Sequence, residues 1–97
     1  TISLALQDAR NAGFTIIGTD DTADHVYTEA LYNDPIVLVI GNEGECIHPS
    51  VRKLCDVLVK IPMAGRVSSL NASVSAGVLL FEILRQRSSG QATAEPA

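Results

Sequence analysis

A chain of 97 residues allows one small domain with a thin core. At 46% hydrophobic and 19% charged residues it reads as a soluble globule, which excludes a disordered or membrane-embedded class. The net charge of −4 argues against a basic nucleic-acid-binding surface on the chain itself, but not against an RNA enzyme whose basic contacts lie on another domain or a partner.

Taken in chain order, residues Ser3 to Ala12 read as a helix with Ile2, Leu6 and Ala9 on one face and Gly13 at the C-terminal cap. The β-branched run from Phe14 to Gly18 predicts a strand. Thr19 to Asp24 reads as a solvated acidic turn, and His25 to Tyr32 as a short helix ending before Asn33-Asp-Pro35. Ile36 to Ile40 is the clearest strand, apolar on both faces as a central parallel strand is. Pro49 opens a short helix to about Leu54, and Val57 to Ile61 predicts the third strand. A long helix follows from Asn71 to Gln86, apolar almost all round through Val74, Val78, Leu79, Leu80, Phe81, Ile83 and Leu84. Such a helix is buried on more than one side, which predicts a subunit interface. Residues 88–97 are small and polar and read as a disordered tail after a domain at 1–87.

Alternating helices and strands predict an α/β fold: a parallel sheet with helices on both faces. Three strands, with a helix leading, predict an incomplete α/β domain. Cys46 and Cys55 read as reduced thiols of a reducing, cytoplasmic compartment, and with His25 and His48 they match no zinc spacing, so no metal is expected. No charged and apolar leader opens the chain, and the apolar stretch from Val74 to Leu84 is too short to span a bilayer, so no membrane partner is expected.

Two segments hold candidate chemistry. Gly41-Asn-Glu-Gly-Glu45 follows a strand, and its glycines permit close ligand approach. It is neither a Walker A loop nor GxGxxG, and from spacing alone an ordinary strand-to-helix turn with a solvated Glu43 is the favoured reading. Ile61-Pro-Met-Ala-Gly65 leaves a strand through a residue that cannot donate a ladder bond. Its free main-chain groups suit a flat heterocycle such as adenine, or form a plain strand end. Ser68, Ser69, Asn71 and Ser73 surround Leu70 at a helix start. One of them suffices as an N-cap; the clustering of four is what admits a site. Both segments fall at the C-terminal edge of the strands, where open α/β sheets bind ligands.

Together these residues resemble the SpoU/TrmH-type RNA ribose 2′-O-methyltransferases of the SPOUT superfamily. The resemblance is carried by Leu38-Val-Ile-Gly-Asn-Glu-Gly-Glu45 and by Ile61 to Ser75, within a similarity running from about Leu4 to Arg87. Val67-Ser-Ser-Leu-Asn71 is most like the bacterial type that methylates a guanosine ribose in 23S rRNA. The resemblance implies S-adenosylmethionine as cofactor, held by main chain at Gly41, Ile61 and Leu70 with Met63 lining the pocket. It implies Glu43, Ser69 and Asn71 as catalytic or site-shaping residues and RNA as substrate. It also implies the C-terminal half of a trefoil knot and a homodimer through the last helix. In three respects the chain departs from the family pattern. The first family motif, with its catalytic Arg, is expected ahead of Thr1. Cys46 stands where a Gly is usual. Ala72 and Ser75 stand where Val and Ala are common. The chain alone is therefore expected to be inactive. The other readings left open are a non-enzymatic dimerising or cofactor-binding module, a tRNA rather than rRNA enzyme, and a different α/β nucleotide enzyme, the last disfavoured by the lack of a phosphate loop.

Overall fold

The structure, a computed structural model, describes residues 1–41, 47–62 and 72–94. Its elements are α1 (Ile2–Asn11), β1 (Thr15–Thr19), β2 (His25–Val26), β3 (Ile36–Val39), α2 (Pro49–Arg52), β4 (Val57–Lys60) and α3 (Ala72–Ala94). The strands form one parallel sheet in the order β2-β4-β1-β3.

Helix α1 begins at Thr1, whose hydroxyl accepts from the Leu4 amide at 3.4 Å. It ends where expected. Gly13 adopts a φ of 96°, and the Gly13 and Phe14 amides donate back to the Arg10 and Ala9 carbonyls. This is a Schellman stop, which a left-handed glycine makes accessible. Leu6 is the buried anchor of the helix, whereas Ile2 stands in solvent.

Strand register divides the side chains between two layers. Ile17 and Val59 face α3, where they join Tyr32, Leu79 and Ile83 in the core, with Ile36, Leu38 and Val57 packed against it. Ile16, Gly18 and Leu58 point to the opposite layer. There, a Cβ built on Gly18 would meet Cys55 Sγ at 2.7 Å, Ile47 at 3.0 Å and Leu58 at 3.1 Å. Cys55 is thus a packing residue at a point where only glycine fits. The expectation of a parallel sheet with helices on both faces holds for the described residues.

Four features correct the sequence reading. The segment from His25 to Tyr32 is not a helix; its first two residues form β2, and the Tyr27 amide continues the pairing to the Lys60 carbonyl. Among the described residues the sheet therefore has four strands rather than three. Strand β3 lies at an edge, and β1 and β4 are the central strands. Helix α3 continues to Ala94, past the expected end at Gln86; the small residues there include no proline to stop it. Within α3, the apolar circumference is divided: Leu79 and Ile83 enter the core, while Val74, Leu80, Phe81 and Leu84 remain exposed.

The second half of α3 clamps the segment that leads into β3. Gln86 Nε2 donates to the Ala30 carbonyl at 2.9 Å, and Gln86 Oε1 accepts from the Tyr32 amide at 3.2 Å. Arg87 donates to the Tyr32 and Asp34 carbonyls at 3.0 and 2.7 Å. Glu82, only 6% exposed, accepts from Arg85 and Gln86. The fully buried Tyr32 hydroxyl donates to the Tyr27 carbonyl.

Candidate functional site

The two expected strand exits flank one central strand. Gly18 pairs with Val39 of β3, and Thr19 pairs with Val59 of β4. Continuing those registers sets Gly41 level with position 20 and Ile61 level with position 21. At that level β1 has ended. The Asp20 amide still donates to the Val59 carbonyl at 2.9 Å, but the chain then turns, with the Ala23 amide returning to the Asp20 carbonyl. Gly41 and Ile61, both partly buried, therefore leave the C-terminal edge of the sheet on either side of a strand that has turned away. A crevice of this kind, at the carboxyl end of parallel strands, is where such sheets take ligands. Of the expected site residues, Gly41 and Ile61 are among the described ones, at the same edge of the sheet with β1 between their strands. Glu43, Met63, Ser69, Leu70 and Asn71, with Cys46, lie outside the described residues.

The turn after β1 holds groups that sequence reasoning passed over. Thr19 belongs to the strand, and its hydroxyl accepts from the Gly41 amide at 3.2 Å. Asp20 is buried at 4% exposure, contrary to its reading as a solvated acid. Its Oδ1 accepts from the Thr22 amide at 2.9 Å and the Thr22 hydroxyl at 2.6 Å. Its Oδ2 lies 3.2 Å from Arg52 Nη1, an ionic contact with no aligned hydrogen bond among the described residues. Burial pushes the Asp20 carboxyl up, but the Thr22 hydrogen bonds and the Arg52 charge outweigh it and leave it below the usual value. Arg52 is thus the ion-pair partner of Asp20. The available sequence signal was the Asp-x-Thr pattern of Asp20 and Thr22, an Asx turn.

Burial raises the Cys55 thiol, with Asp56 adding to the effect, so Cys55 is not an activated nucleophile. Among the described residues no group of His, Cys, Asp and Glu is arranged to hold a metal ion. No helix among them is long and apolar enough to cross a membrane.

Among the described residues, a parallel sheet with helices packed on it defines an α/β domain, a class that takes ligands at the carboxyl edge of its strands. The chain belongs to the SpoU rRNA methylase family, whose model matches residues 1–81. It is similar to the 23S rRNA (guanosine-2′-O-)-methyltransferase RlmB of Ralstonia nicotianae, 47% identical over 87 residues that cover 90% of this chain and 35% of that protein. Among solved structures it is similar to the SpoU methyltransferase AviRb of Streptomyces viridochromogenes in complex with AdoMet, with a TM-score of 0.77 and 39% identity, covering 91% of this chain and 36% of that one. It is also similar to the A. aeolicus TrmH/SpoU tRNA modifying enzyme, with a TM-score of 0.81 and 36% identity, covering 97% of this chain and 48% of that one. The chain spans about a third of the length of RlmB and AviRb, and about half of the A. aeolicus enzyme.

Proposed function

We propose that this chain is the cofactor-binding portion of an S-adenosylmethionine-dependent enzyme that methylates a ribose 2′-OH in rRNA, with a guanosine of 23S rRNA as target, in the cytoplasm. The observation that carries the proposal is the placement of Gly41 and Ile61, just past the ends of β3 and β4, on either side of β1, which ends at Thr19. The AviRb structure holds AdoMet, which supports the choice of ligand. RlmB supports the choice of rRNA and guanosine.

Two features of the strand exits support this ligand. Gly41 carries no Cβ to obstruct approach, and Pro62 removes one ladder donor beyond Ile61. In this reading, main chain at Gly41, Ile61 and Leu70 holds the adenosyl part, and Met63 lines it. The cofactor supplies an electrophilic methyl on a sulfonium, so the protein's work is to align the acceptor and manage its proton. Ser69 and Asn71 hold the ribose or the ligand's carboxylate. Glu43 orients neighbouring amides or a catalytic Arg contributed from outside the chain. A 2′-OH acceptor restricts the substrate to RNA. The fold is completed as the C-terminal half of a trefoil knot, and α3 joins a second copy through its exposed Leu80, Phe81 and Leu84.

The test is methyl transfer from labelled S-adenosylmethionine to 23S rRNA by the intact protein, with tRNA in parallel. Transfer to rRNA ribose is the expected result. Transfer to tRNA alone would favour the second reading, which the A. aeolicus neighbour supports. A folded protein that neither binds nor transfers would leave a non-enzymatic module. The 97-residue chain alone is expected to show no turnover.

A further inference from the structure

The end of β1 holds both flanks of the segment that carries Glu43. Thr19 reaches the near flank: its Oγ1 accepts from the amide of Gly41, where the chain leaves β3. Asp20 reaches the far flank: its Oδ2 lies 3.2 Å from Arg52, the last residue of α2, the first helix after that segment. Thr19 ends a central strand, and the Asp20 amide just beyond it still donates to the Val59 carbonyl of β4, so both contacts start from a rigid base.

The turn alone does not account for the charge on Asp20. Holding the Thr22 amide and hydroxyl needs only one acceptor oxygen, which an asparagine also offers. A buried carboxylate is costly unless compensated, and its second oxygen has Arg52 as its compensation. Likewise, Thr19 is not needed as a strand former, since valine serves that purpose as well; only the hydroxyl reaches Gly41.

We propose that Thr19 and Asp20 are positioning residues for cofactor binding: Thr19 fixes the Gly41 main chain and Asp20 fixes α2 through Arg52, so that the strand exit is held in binding geometry. This rests on the function proposed above. Neither residue touches the ligand; each acts through another group.

The test is calorimetry with S-adenosylmethionine and steady-state methylation on the intact protein, comparing wild type with Thr19→Val, Thr19→Ser and Asp20→Asn. Thr19→Val is expected to weaken S-adenosylmethionine binding and raise its KM about fivefold, the size of one lost net hydrogen bond. The kcat at saturating cofactor and the KM for RNA should stay within about twofold. Thr19→Ser, which keeps the hydroxyl, should restore the wild-type KM. Asp20→Asn should raise the same KM while keeping the Thr22 turn, and it decides the question should Thr19→Val fail to fold. An unchanged cofactor KM in both variants overturns the proposal, as does an equal fall in kcat or a Thr19→Ser variant as weak as Thr19→Val. Wild type that binds no S-adenosylmethionine overturns the cofactor reading itself, which is a separate result.

Discussion

The Asp56 carboxylate accepts a hydrogen bond from the Ile16 amide at 2.8 Å, while the Asp56 amide donates to the Ile16 carbonyl at 2.7 Å. One residue thus caps the β1–β4 ladder just before β4 begins, its side chain standing in for a main-chain acceptor. The other carboxylate oxygen lies 3.1 Å from Arg10 of α1, so the same group ties the helix to the sheet.

Removing that carboxylate should be costly because Ile16 is fully buried and its amide would lose its acceptor. Asp56→Ala is expected to destabilise the fold by about 2 kcal/mol, while Asp56→Asn, which keeps an acceptor and loses only the half-exposed Arg10 pair, should cost about 1 kcal/mol or less. Urea unfolding with equal m-values measures both. Equal losses in the two variants would assign the effect to Arg10 rather than Ile16.

A second prediction concerns close approach rather than hydrogen bonding. Gly18→Ala places a methyl 2.7 Å from Cys55 Sγ, well inside contact distance. The expected cost is about 1–3 kcal/mol, as for other overpacked sites. Adding Cys55→Ala removes the nearest obstacle, so the double variant should recover part of the loss. Additive effects in the resulting double-mutant cycle would show that the clash lies elsewhere.

How far these features could be read from the sequence depends on how local their causes are. The strands at Thr15–Thr19, Ile36–Val39 and Val57–Lys60 were legible because β-branched residues and flanking turn formers announce them. Gly13 announced the end of α1 in the same way. Strand β2 was not legible: two residues carry no periodicity, and His25–Val26 is a strand because β4 lies beside it. The apolar run of β3 suggested a central strand, but strand order is a long-range property, and the edge position follows from β1 pairing with both β3 and β4. At the site, Gly41 and Ile61 were legible as strand exits. The burial of Asp20 was not, since its partner Arg52 is distant in sequence and an acidic turn is usually solvated.

The buried titratable groups of the α3 clamp predict a stability maximum bounded on both sides. Glu82 is held below its ordinary value of 4.5 chiefly by its hydrogen bonds from Arg85, against burial. Its contribution is therefore present above about pH 4.5 and lost as pH falls through the lower folded value. Tyr32 is pushed up from 10 to about 12 by burial, with the nearby Glu82 charge adding to it. A raised acid behaves oppositely: its contribution is complete below pH 10 and lost as pH rises towards 12. Chemical denaturation across pH should show both flanks, with Glu82→Gln flattening the acid side and Tyr32→Phe the alkaline side. An alkaline flank unchanged in Tyr32→Phe would assign it to other groups.

The last prediction concerns the outer face of α3. Phe81 is 74% exposed and Leu84 57%, beside an open hollow of about 550 Å³ lined by Tyr27, Val74, Gly77, Val78, Phe81, Glu82 and Arg85. Large apolar side chains clustered on one helix face mark an interaction surface. Under the proposed dimer, an isologous contact puts each substitution in the interface twice, once per copy. Phe81→Arg in the intact protein should therefore shift it from dimer to monomer by sedimentation, while leaving the core residues Leu79 and Ile83 in place and the far-ultraviolet circular dichroism unchanged. Retention of the dimer by a folded Phe81→Arg variant would exclude this face as the contact and leave its exposed apolar residues to another partner.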